Sequence, residues 1–214
     1  MTKVQRRLFI RSMAAGAAGG LTGWIQQALA AAEPKSLPQG IIEMKGDVSV
    51  NGKPVHKGEH VGPGSVVETS AGAHAVYVIG DNAFLQRQNS RVDFGDSAAT
   101  FMRILTGGLL SVFGKGERRL STPTAAIGIR GTGCYIETDE HKSYFCLCFG
   151  AVDLQPVNGQ PSSYETTHHE KPLWIEGGMT RPAKVINHTD AEVIMLEALV
   201  GRRSPFPPSK SGRY

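Results

Sequence analysis

Ser121-Thr122-Pro123-Thr124-Ala125-Ala126-Ile127-Gly128-Ile129-Arg130-Gly131-Thr132 is the stretch that decides the fold. Its Thr-Pro step reads as the start or edge of a strand, because proline fixes φ and brings no N–H to a ladder. Gly128 and Gly131 flank Arg130 and allow a sharp turn or the close approach of a second strand. An arginine held between two glycines is expected to bond nearby carbonyls or a carboxylate.

Outward from that stretch, residues 41–187 form short segments rich in Val, Ile, Phe and Tyr. Gly, Asn, Asp and Pro punctuate them about every 8 to 12 residues, the spacing of sandwiches and β-rolls. Val76 to Ile79, followed by Gly80-Asp81-Asn82, reads as strand then turn. Arg103 to Phe113 reads as a strand pair or one bulged strand, with Gly107-Gly108 marking the irregularity. No long helical period appears before residue 189. There Thr189-Asp190 can cap a helix that has Val193, Ile194, Leu196 and Leu199 on one side and Gly201 as its stop. From Ser204 onward the apolar content is too low to fold alone.

The pattern resembles the FecR domain, an all-β extracytoplasmic module. Besides the Thr-Pro…Arg-Gly-Thr element, Gly46-Asp47-Val48-Ser49-Val50-Asn51-Gly52 looks like its opening strand and turn, and Gly150-Ala151-Val152 like its closing strand. Gly58, Val61, Gly64, Val67 and Thr69 fall between them, and the likeness covers residues 44–155. It implies an all-β, FecR-like β-sandwich or β-roll of short strands over 41–155. A strand-rich extension with a terminal helix follows over 156–200, and a flexible tail over 201–214. The family signals or binds in the periplasm. Its signalling members carry a cytoplasmic sigma-factor-binding region, a membrane span and a further domain. The expectation here is a stand-alone form without direct control of a sigma factor.

The first thirty residues read as an export signal. Arg6-Arg7-Leu8-Phe9-Ile10-Arg11 fits the twin-arginine pattern, an Ala- and Gly-rich apolar stretch follows, and Ala28-Leu29-Ala30 offers a cleavage site. That stretch is too short and glycine-rich for a membrane helix. The expectation is a periplasmic protein with no integral span after signal removal. Lys3, Arg6, Arg7 and Arg11, with no acid beside them, account for the whole net charge of +4. Residues 31–214 balance 19 basic against 19 acidic side chains, so no nucleic-acid footprint is supported. A protein partner in the cell envelope fits better.

Three cysteines stand out: Cys134, Cys146 and Cys148. Cys134 to Thr138 and Ser143 to Phe149 read as two strands joined by a turn at Asp139-Glu140-His141-Lys142. Alternation puts Cys146 and Cys148 on one face. An odd loop would set Cys134 beside them, whereas a four-residue loop would set it opposite Leu147 on the other face. His168-His169 lies further along, and on extended chain only one of the two faces a shared site. His188 at the helix start is a third histidine in reach. Thiolate plus imidazole suits Zn, Cu or an Fe centre, including an iron–sulfur cluster. The expected ligands are Cys134, Cys146, Cys148 and one of His168 or His169. Two other readings stay open: a disulfide from Cys134 to Cys146 or Cys148, the default in an oxidising compartment, and three buried apolar thiols. Hydrolase, P-loop, dinucleotide and zincin motifs are absent. A nucleophilic Cys134 paired with His168 or His169 lacks any oxyanion hole or pocket, so no enzyme is expected. The function expected is binding, with a sensing or signalling role. The alternatives are a disulfide-stapled scaffold and a thiol redox or electron-transfer protein.

Overall fold

The computed structural model describes residues 39–96 and 102–206; the signal expected over 1–30 and the last part of the expected tail lie outside the described residues. Among the described residues the chain runs β1 (Gly40–Lys45), β2 (Val48–Val50), β3 (Lys53–Pro54), β4 (Val66–Thr69), β5 (His74–Ile79), β6 (Asn82–Gln86) and β7 (Ser90–Asp93). It continues through β8 (Met102–Val112), β9 (Glu117–Ser121), β10 (Ala125–Thr138), β11 (Lys142–Pro156), β12 (Ser162–Thr166), β13 (Leu173–Glu176) and β14 (Met179–Pro182). One helix, α1 (Asp190–Leu199), closes it. The fold is all-β with a C-terminal helix.

Not every strand is short. β8, β10 and β11 run for 11, 14 and 15 residues, because each serves two sets of neighbours. The first half of β10 pairs with β9 and its second half with β8, while β11 lies along both halves. β11 then carries β13 on its first half and β12 on its second. The glycines between the halves permit the bend. Gly131 has φ 52 at the break in the β10–β11 register, and Gly150 has φ 100 across from it. Gly128 is an ordinary strand residue facing Asp153. In the sequence such glycines allow a sharp turn or a close approach; pairing on both sides of the bend makes them bulges within one strand. A Cβ on Gly150 would sit 2.5 Å from Thr132 Cγ2 on a backbone that L-residues avoid. Gly150→Ala should therefore cost about 2–3 kcal/mol. For a chain of this size that is roughly 4–12 °C of melting temperature; an unchanged melt would contradict it.

Arg130 makes less of its position than expected. Its guanidinium lies 3.5 Å from Asp153 and 3.7 Å from Glu117 with the side chain 55% exposed, so these are surface pairs. Such pairs contribute about 0–1 kcal/mol.

The sheet curls on itself and alternation divides its side chains between two cores. Ile136, Phe145 and Leu147 join Tyr77, Phe84, Ile104, Ile127 and Val152 in the inner core. Tyr135, Tyr144, Cys146 and Cys148 point the other way, into a second core shared with Val76, Leu85, Leu110 and Val112. The helix covers this second core with Val193, Met195, Leu196 and Leu199, so Met195 is buried where the sequence favours the half-buried Ile194. Thr189 caps it in a reciprocal box with Glu192, and Val200 with Gly201 at φ 74 ends it. Glu192 also receives Arg87 Nη2 at 2.9 Å, which ties the first turn of α1 to the end of β6.

Candidate metal centre

The turn between β10 and β11 settles the cysteines. Thr138 pairs with Ser143, leaving four residues in the loop, and Asp139 Oδ1 accepts from the N–H groups of His141 and Lys142 at 2.8 Å each. That even count places Cys134 across from Leu147 and Tyr135 across from Cys146. Cys134 is therefore in the inner core, on the opposite face of the sheet from Cys146 and Cys148. The expected set of Cys134, Cys146, Cys148 and a neighbouring histidine is not assembled. Nor is a bridge from Cys134 to either partner: all three thiols are free and buried.

The two histidines lie on a turn rather than on extended chain, so alternation does not place them: both rings reach Asp190, and His169 also reaches the sulfurs. After β12 the chain turns at Thr167 to Glu170, where the Glu170 carboxylate accepts from the Thr167 N–H at 2.8 Å and the His168 N–H at 3.0 Å. The Thr167 hydroxyl, with these amides, holds the exposed Glu170 carboxyl down to about 2. His169 sits in the left-handed region at φ 57, its N–H bonded to the Cys148 carbonyl at 3.1 Å. This uncommon backbone turns its ring inward beside the two sulfurs. His168 turns outward with its side chain 43% exposed, and its Nε2 lies 3.0 and 3.1 Å from the two Asp190 oxygens.

His188 brings the fourth donor. Asn187, at φ 55, swings it under the sheet, where it stacks on Tyr135 at 4.8 Å between centroids. The Asn-His-Thr-Asp start of a helix is the one sequence signal pointing to it. The site is thus built from one strand, one turn and the residue before the α1 cap.

One donor atom from each of Cys146, Cys148, His169 and His188 lies within 4.8 Å of every other, and all four residues are buried. Cys146 Sγ is 3.4 Å from His169 Nδ1, which is 3.1 Å from His188 Nε2. A tetrahedral ion with bonds of about 2.0–2.3 Å holds its ligand atoms a little under ~4 Å apart, so a small contraction completes the sphere. This spacing suits one ion; an iron–sulfur cluster with bridging sulfides would hold the sulfur and nitrogen pairs farther apart. The unused ring nitrogens are also engaged. His169 Nε2 lies 3.2 Å from Asp190 Oδ1, and His188 Nδ1 lies 2.7 Å from the Ile186 carbonyl oxygen.

Electrostatics separate the three thiols. The hydrogen bond from the Cys148 thiol, with those from His169 and His188, outweighs desolvation and holds Cys146 down to about 3. Burial and then the neighbouring Cys146 thiolate push Cys148 well above the ordinary thiol range. Burial pushes Cys134 up as well, away from nucleophilic character.

No protein-family model and no curated protein matches the chain. Two crystal structures of a protein of Parabacteroides distasonis ATCC 8503 assigned as an anti-sigma factor, at 1.65 and 2.50 Å resolution, are similar to it with TM-scores of 0.47 and 0.46. Identity is 8% in both, over 55% of this chain, and this chain spans 58% of the length of each of those structures.

Proposed function

We propose that the chain is an exported, FecR-like binding protein built around a mononuclear metal centre, with Cys146, Cys148, His169 and His188 as ligands. The convergence of four buried sulfur and nitrogen donors, with the far nitrogen of each histidine anchored, carries this reading. A carbonyl and a carboxylate only accept, so His188 Nδ1 and His169 Nε2 each carry the proton they donate. The opposite nitrogens, His188 Nε2 and His169 Nδ1, then face each other at 3.1 Å, with Cys146 Sγ 3.4 Å from His169 Nδ1. Without an ion, shared protons have to hold these two nitrogens and the Cys146 sulfur together. A metal ion satisfies all four donors at once. Ligating histidines whose far nitrogen is anchored on a carboxylate or a backbone carbonyl are the usual second shell of such a site. Two thiolates with two imidazoles suit Zn²⁺ first and Cu⁺ second.

All four donors come from buried side chains, which favours a structural or sensory role for the metal. The FecR resemblance and the twin-arginine pattern support a place in the periplasm and a protein partner there. The test is elemental analysis of protein recovered from the periplasmic fraction after native export, with X-ray absorption to identify the ligands. The expected result is one ion per chain with two sulfur and two nitrogen neighbours. Metal-free protein holding a Cys146–Cys148 bond would leave the thiol redox reading instead, and retention in the cytoplasm would remove the export half of the proposal.

A further inference from the structure

The chain that leaves α1 returns over the Cys–His cluster. Arg202 fixes the start of this return. Its N–H donates to the Glu197 carbonyl at 2.9 Å, its Nε to Glu197 Oε2 at 2.6 Å and its Nη1 to the Asp81 carbonyl at 2.5 Å. Further on, the Phe206 N–H meets Ser204 Oγ at 3.4 Å, and Pro205 between them restricts the backbone. Phe206 ends only 7% exposed, in the same buried cluster as Cys146 and Cys148. Its ring centroid lies 4.6 Å from that of His168, 5.6 Å from that of His169 and 6.0 Å from that of Phe149. These are the spacings of packed aromatic rings.

We infer that residues 202–206 form a strap whose Phe206 ring closes the outer mouth of the Cys146–Cys148–His169–His188 cluster, so that an ion enters and leaves as the strap lifts. The role in ion passage rests on the cluster being a metal centre; the closure itself does not.

Other elements shut the remaining approaches. Tyr135 stacks on His188, and Val193 and Leu196 of α1 belong to the same core as the two sulfurs. The half-exposed His168 ring marks the side that faces solvent, and that is where Phe206 packs. A hydrated ion cannot pass a packed phenyl ring. The strap can lift without disturbing the sphere, because Phe206 brings no donor and Arg202 is anchored on Glu197 and Asp81, neither of which is among the four donors.

Zinc transfer in the full chain tests this. Phe206→Ala removes the closing ring and none of the donors. Loss of its burial should speed Zn²⁺ release to excess chelator and Zn²⁺ uptake by the stripped chain by the same factor, about 10–100-fold. One ion per chain should still bind, and Phe206→Leu, which keeps an apolar cover, should restore most of the delay. Labelling with N-ethylmaleimide supplies the control. Cys134 sits in the inner core and on a separate tryptic peptide from Cys146 and Cys148, so its labelling should stay as slow as in the unaltered chain. Unchanged transfer rates in Phe206→Ala would overturn the strap. So would faster release with unchanged uptake, the mark of a ring that only steadies the bound state, or Cys134 labelling that rises in step, the mark of general loosening. A chain that takes up no zinc would instead overturn the metal centre. The strap is then decided by labelling of Cys146 and Cys148 in the reduced chain, which Phe206→Ala should accelerate by the same factor and which an unchanged rate would refute.

Discussion

Stripping the metal from the Cys146–Cys148–His169–His188 site is expected to lower the melting temperature by about 8–16 °C. An ion that binds only the folded chain stabilises it by about 4 kcal/mol when free metal is ~1,000-fold above its dissociation constant. A domain of this size loses roughly 2–4 °C per kcal/mol. Cys146→Ser should reproduce the stripped state and be insensitive to chelator, because a hydroxyl is a poor replacement for a thiolate. Cys134→Ser is the control. It buries a hydroxyl in the inner core at a cost of about 1–3 kcal/mol, yet it leaves metal content and chelator sensitivity unchanged. The metal contribution also has a definite direction with pH. Its ligands bind deprotonated, so it is full at neutral pH and is lost as pH falls and protons compete for the imidazoles and thiolates. Differential scanning calorimetry with and without chelator at several pH values checks these statements. A melt of metal-loaded protein that ignores chelation would contradict them.

The two strands that hold the cysteines were legible because their apolar runs are separated by four polar residues, Asp139 to Lys142. The face of Cys134 was not. One residue more or less in the paired register reverses it, and the Asp139 side chain that closes the turn on His141 and Lys142 decides the count. His168 and His169 were visible as a pair, but alternation could not place them, because they fall on a turn rather than on extended chain. Which one turns inward follows from a left-handed backbone braced by Glu170, a choice made by the fold rather than by propensity. His188 is the residue that sequence reasoning had in view but left out of the ligand set. Its position depends on α1 docking over the outer face of the sheet, and nothing local to Asn187-His188-Thr189 encodes that. Asp190 reads from sequence only as an acid in a helix's first turn, which capping and the helix dipole already explain. Only the assembled site shows it receiving His169.

Loss of the metal should also release the helix while the sheet persists. An isolated helix of ten residues is not stable in water, so α1 exists because it is docked. Two devices hold it at its N-terminal end on the proposed reading: His188 as a metal ligand just before the cap, and the Arg87–Glu192 pair, bonded at 2.9 Å. Val193, Met195, Leu196 and Leu199 hold the rest against Val76, Leu85, Leu110 and Val112. Removing the ion, or His188 itself, withdraws the ligand that ties the cap to β11, whereas the ladders of β10 with β8 and β11 are untouched. Amide exchange over Asp190–Leu199 should therefore accelerate by at least ~100-fold in stripped protein and in His188→Ala, equivalent to about 2.7 kcal/mol of local stability. Amides of Tyr135, Ile136 and Phe145 should keep most of their protection. His188→Ala should further show no response to added metal within the helix. Equal protection of α1 with and without the ion would mean that the apolar face and Arg87 suffice, and that the metal stabilises the hairpin and turn without holding the helix.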